Sequence, residues 1–114
     1  MNLDELARQI DEVSTEQAAQ RLCELLLDWK TDSSTAEELC DKVERYIGNS
    51  WIERDENHAR VYALWSAFRD EAITGIGGMT MNERLYHFSL FERFDASRDD
   101  DERITVYAKL HAVP

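Results

Sequence analysis

An all-α fold, a compact bundle of five or six helices forming a single domain over residues 1–114, is predicted by three features of this sequence. Apolar residues recur at i, i+3, i+4 and i+7 along most of the chain. Breakers are scarce: one proline, Pro114, and four glycines, three of them gathered at Gly75, Gly77 and Gly78. No segment shows the period-two alternation of a strand. A chain of 114 residues has room for one domain. At that size it buries roughly two-thirds of its unfolded surface, so it can fold without metal or disulfide support.

The first helix is expected over Asn2 to Val13, where Leu3, Leu6, Ala7 and Ile10 share a face and Asn2 is placed to cap the first turn. Ser14 and Gln17 carry the S-x-x-Q spacing of a capping box and open a second helix. Ala18, Leu22, Leu25, Leu26 and Trp29 line it, and Asp32-Ser33-Ser34 ends it. A third begins with the pair Ser34 and Glu37. Its stripe is Ala36, Leu39, Cys40, Val43 and Ile47, and Gly48 is the expected left-handed C-terminal cap.

The longest helix is expected from about Asn49 or Ser50, with an irregular first turn through Trp51 and Ile52 and a clear part from Asp55 to Thr74. Val61, Leu64, Trp65, Phe68 and Ala72 face inward, and Gly75 to Gly78 terminate it. Thr80 and Glu83 form a third capping box. The helix they open, Met81 to Asp95, has apolar residues on two sides: Met81, Leu85, Phe88 and Phe91 on one, Tyr86, Leu90 and Phe94 on the other. Such a helix lies at the centre of its fold, or one stripe meets a second copy of the chain. Asp95 to Glu102 is a turn with Ser97 or Asp99 as the next cap. Ile104, Tyr107, Leu110 and Val113 are then expected to face inward.

Charge narrows the function. Thirteen basic residues against 24 acidic ones leave −11 at neutral pH. Such a surface repels nucleic-acid phosphates and anionic membranes, so neither is expected as a partner. It favours basic proteins, which it would attract at long range. Cys23 and Cys40 fall on apolar helical positions and are expected as free, buried thiols in a reducing compartment. The opening residues carry neither a basic n-region nor an apolar run, so no secretory leader and a cytoplasmic location are expected.

No motif for chemistry stands out. The Gly75–Gly78 cluster follows a helix and matches no phosphate-binding loop, since no lysine follows it. With Glu83, Arg84 and His87 nearby it is the one place a small ligand or a catalytic step could be sought. The histidines His58, His87 and His111 lack the partners of a metal site, and Asp99 to Glu102 lack the spacing of a calcium loop. Neither a metal nor a cofactor is expected, nor an enzyme. The most usable surface feature is an acidic stripe, Glu37, Asp41 and Glu44, with Glu38 beside it. Tyr46, Trp51 and Tyr62 are aromatic residues that could complete an interface there.

The run Thr80-Met81-Asn82-Glu83-Arg84-Leu85-Tyr86, followed by Phe91 and Phe94-Asp95, resembles a T-x-N-E-R-L-[YF] motif of small bacterial proteins with no assigned activity. The resemblance covers the last third of the chain. It implies a bacterial cytoplasmic protein, and it leaves Arg84 free to pair with an acid. In size, acidity and helicity the chain is also similar to the immunity proteins that mask basic nuclease toxins. The function expected is therefore a non-enzymatic, acidic protein-binding module, with a self-associating protein built on Tyr86, Leu90 and Phe94 as the alternative.

Overall fold

The computed structural model describes residues 1–50, 52 and 54–114, and among them every regular element is helical. Seven α-helices follow one another: α1 Leu3–Val13, α2 Gln17–Trp29, α3 Ala36–Asn49, α4 Asp55–Phe68, α5 Met81–His87, α6 Phe91–Asp95 and α7 Asp100–Lys109. A π-helical turn, Arg69–Ile73, continues α4, and a 3₁₀ turn, Ile76–Gly78, leads on to α5. The molecule measures 45 × 26 × 21 Å. No described helix is long and apolar enough to cross a membrane.

The first helix forms as its spacing predicts. Leu3, Leu6, Ala7 and Ile10 are buried, and the Asn2 side chain accepts the Glu5 amide at 2.9 Å. This face packs on both α2 and α4, which makes α1 the hub of the N-terminal half. Helix α2 starts later than expected. Ser14 closes α1 through its own amide, which is bonded to Ile10. Its hydroxyl accepts the Glu16 amide, so the Ser14–Gln17 box does not form.

The box expected at the start of α3 is displaced by one residue, to Thr35 and Glu38. Ser34 is already committed: its amide and hydroxyl both bond Asp32 Oδ1, at 2.9 and 2.8 Å. Gly48 does not adopt the left-handed conformation, because α3 runs on through Asn49 and leaves by an extended Ser50. Ile52 is buried, while the expected irregular turn at Trp51 lies outside the described residues.

Val61, Trp65, Phe68 and Ala72 are buried along α4 and its π turn, as their spacing requires. The π turn ends with the Thr74 amide on the Arg69 carbonyl. At Gly75 the chain passes so close to the Glu71 carbonyl that a Cβ would lie 2.8 Å from its oxygen. Glycine is needed there for space, not for an unusual φ.

The expected single helix over Met81 to Asp95 is two helices. The Leu90 amide reaches back to Leu85, and the Ser89 amide to Tyr86, with Ser89 at φ 56°. This is a Schellman motif with serine where glycine is usual. The reversal drives Leu85, Phe88 and Leu90 into the core together. Two apolar stripes on one straight helix are thus resolved by breaking the helix. Asp99 caps helix α7: its side chain accepts the Glu102 amide at 2.9 Å. The inward face of the helix agrees with expectation at Leu110, which is buried, and departs from it elsewhere: Val106 and Lys109 are buried, whereas Ile104 and Val113 are exposed.

The centre is a line of aromatic rings. Trp29 meets Phe88 at 5.4 Å, Phe88 meets Phe68 edge-on at 5.6 Å, and Phe68 meets Trp65 at 6.0 Å. Edge-on and tilted contacts at these separations suit the ring quadrupoles. The line ties α2 to α4 through the α5–α6 corner. Each terminal indole also finds an acceptor: Trp29 donates to the Thr35 carbonyl and Trp65 to Glu44, both at 3.0 Å.

Candidate protein-binding face

Helix α3 carries its core residues, Ala36, Leu39, Val43 and Ile47, on one side and Glu37, Asp41 and Glu44 on another. The acidic residues share a face because i, i+4 and i+7 lie one above another on a helix. Each behaves differently. The carboxylates of Glu37 and Asp41 are exposed and form no ion pair among the described residues. Glu38 is exposed but turned back onto the Thr35 amide at 3.0 Å. Glu44 is half-buried and accepts both the Trp65 indole and the Arg69 guanidinium.

Arg69 organises the edge of this face. Its guanidinium donates to Glu44, to Asp70 at 3.0 Å and to the Tyr62 hydroxyl oxygen at 3.4 Å. These bonds, with Glu44 first, hold its pKa well above the ordinary arginine value. Arg69 and Asp70 are the first two residues of the π turn. The result is a surface on which Glu44 and Asp70 hold Arg69, with Tyr62 exposed alongside and Glu37 and Asp41 on the same helix as Glu44. Asp70 and Arg69 were not legible as members. They lie 25 or more residues from Glu44 in sequence, and local spacing carries no sign of that pairing.

Tyr46 is half-buried and donates its hydroxyl to the Ala18 carbonyl at 2.6 Å, a tie between α3 and α2. Trp51 lies outside the described residues. Of the Tyr86, Leu90 and Phe94 stripe, only Tyr86 is well exposed. Leu90 is fully buried, and Phe94 packs edge-on against Tyr107 at 5.7 Å. No continuous apolar surface therefore joins the three.

The region after Gly75–Gly78 is built for folding contacts. Glu83 completes the capping box with Thr80, and those bonds lower its pKa. Arg84 is not free for an acid: it donates to the carbonyls of Met79, Leu110 and His111. Nδ1 of half-buried His87 has no partner.

Neither thiol is activated. Burial pushes the Cys23 pKa up, with Asp11 adding to it, and Cys23 donates to the Ala7 carbonyl at 3.3 Å. Burial likewise raises Cys40, helped by Glu44 and Asp41 and opposed by Arg69. Both cysteines are free. Cys23 forms part of the floor of a groove of about 590 Å³ between α1 and α2. The groove is spanned by Lys30–Asp4 at 2.8 Å and Gln20–Asp11 at 2.5 Å. Its rim carries acids and bases in nearly equal number, so it has no marked electrostatic preference. No group of three metal-ligating side chains gathers among the described residues.

Comparison with protein-family models, curated proteins and solved structures returned no match to this chain.

Proposed function

We propose that this protein is a non-enzymatic, acidic binding module for a basic protein, in its most concrete form an immunity-like inhibitor of a basic toxin. The observation that carries this reading is the face formed by α3 and the π turn, where Glu44 and Asp70 hold Arg69 while Glu37 and Asp41 are exposed and form no ion pair among the described residues. No described acidic residue is buried, so the chain's surplus of −11 acts at the surface. Long-range attraction of this kind accelerates encounter and is screened by salt. Tyr62, 39% exposed, gives the face an aromatic side chain of the type that anchors protein interfaces.

Arg69 offers an internal precedent. A guanidinium already sits there between two carboxylates and a tyrosine oxygen, the geometry a partner's arginine would seek beside Asp41. The test is capture from bacterial lysate at low and high salt, followed by binding kinetics with the captured protein. The combined variant Glu37→Gln/Asp41→Asn should slow association by roughly three- to tenfold at low salt, with dissociation changed less. A captured partner whose association is the same for variant and parent would remove this face from the interface. Capture that is indifferent to salt would remove the electrostatic reading.

A further inference from the structure

Helix α7 is attached in an unusual way. The hub helix α1 buries four apolar side chains, whereas α7 and its cap bury Val106, Leu110 and a lysine. Lys109 is fully inaccessible. Its ammonium donates to the Trp29 carbonyl at 2.5 Å, to Asp32 Oδ1 at 2.9 Å and to the Ser34 carbonyl at 2.9 Å. It also lies 3.9 Å from the centre of the Trp29 ring. All three N–H donors are therefore used. Next to it, Arg84 grips the carbonyls of Leu110 and His111 at 3.0 and 2.9 Å. His111 Nε2 in turn accepts the Glu37 amide of α3 at 3.2 Å.

These fastenings are polar and directional, and burying the ammonium carries a large desolvation cost that they largely offset. On opening, the ammonium regains its hydration, which offsets part of the cost of exposing Val106 and Leu110. A helix held in this way separates at lower free energy than one held by a broad apolar face.

We propose that α7 is a latched strap that opens as a unit about residues 96–99, ahead of global unfolding, with Lys109 as its latch. Opening uncovers the Trp29 ring and withdraws the His111 acceptor from the first turn of α3. The strap follows from these contacts alone and does not depend on the binding function.

Native-state amide hydrogen exchange on the full chain, read residue by residue by NMR, tests it. In the parent protein the protected amides of α7 should exchange at least tenfold faster than those of Leu6, Ile10 and Trp65. Lys109→Met keeps the length of the side chain and removes the donors. It should speed α7 exchange at least tenfold further while changing Leu6, Ile10 and Trp65 less than threefold. Arg84→Gln should give the same pattern, and Asp32→Asn a weaker one of two- to fivefold. If K109M does not fold, R84Q and D32N decide the matter by the same comparison. Equal acceleration of α1, α4 and α7 would show that α7 belongs to the global unit. Unchanged or slower α7 exchange in K109M or R84Q would show that apolar packing holds the helix. Either result overturns the proposal.

Discussion

Ser89 and His111 hold the left-handed backbone conformation at the ends of α5 and α7, at φ 56° and 55°. None of the four glycines has positive φ. A side chain at these two positions costs about 1 kcal/mol relative to glycine, and each side chain has a second task. Ser89 Oγ accepts the Asp4 amide in the first turn of α1 at 3.1 Å, and His111 does the same for Glu37 of α3. A helix-capping bond contributes about 1 kcal/mol, so the strain and the cap roughly cancel. Two substitutions at Ser89 separate these effects. Ser89→Gly relieves the backbone and loses the cap, and its stability should stay within about 0.5 kcal/mol of the parent. Ser89→Ala keeps the strain and loses the cap, and should be less stable by about 1 kcal/mol. Urea denaturation of both variants makes the comparison. Equal losses would mean that the left-handed backbone carries no strain at Ser89, whereas an unchanged Ser89→Ala beside a more stable Ser89→Gly would mean that the serine hydroxyl does not cap α1. The sequence gives no local hint of this role, because glycine marks such turns and the capped helix lies 85 residues away.

At the scale of the element, amphipathic spacing identified the buried faces of α1, α3 and α4, since each helix packs one stripe on a neighbour. The boundaries were less legible where two serines or threonines compete for one helix start. Ser34 and Thr35 both stand within reach of an acid three residues on. Thr35 caps α3 because Asp32 binds Ser34 first and the Ser34 carbonyl receives Lys109. Thr35→Ala should therefore destabilise the protein by about 1 kcal/mol, measured as a shifted denaturation midpoint with unchanged slope. Ser34→Ala leaves the box intact and should cost less than half of that. The reverse order would restore Ser34 and Glu37 as the cap. The α5–α6 break was hidden for a related reason: its signal is a serine, not a glycine, at the turn. The acidic stripe of α3 was legible in full as a row of residues. Its division into exposed Glu37 and Asp41 and an inward-bonded Glu44 depends on Arg69 and Trp65, which only the folded chain brings near.

The whole molecule carries a large negative charge outside and one buried positive charge inside, and the two respond differently to pH. Protonating surface acids relieves mutual repulsion, which favours the folded chain. The Lys109–Asp32 pair works the other way. Burial tends to raise the Asp32 pKa, but the bonds from Lys109 and Ser34 outweigh it and hold the value below that of an ordinary aspartate. Burial pulls Lys109 downward, and Asp32 opposes that pull. With three acceptors around three donors, the ammonium keeps its proton at neutral pH. A carboxylate whose pKa is depressed in the folded state stabilises that state fully above its unfolded value, near 3.9, and ceases to do so as pH falls through the folded value. Asp32 is 43% exposed at its side chain, so solvent screening reduces the size of this contribution but leaves its sign. The difference between parent and Asp32→Asn isolates the pair, because both share the rest of the acidic surface. D32N should be the less stable of the two at pH 7. The gap should narrow as pH falls below about 4, where the parent's Asp32 also begins to lose its charge. Urea midpoints at several pH values between 2.5 and 7 measure this directly. A gap that stays constant down to pH 2.5 would mean that Asp32 holds Lys109 by hydrogen-bond geometry alone, with its charge contributing nothing to the fold.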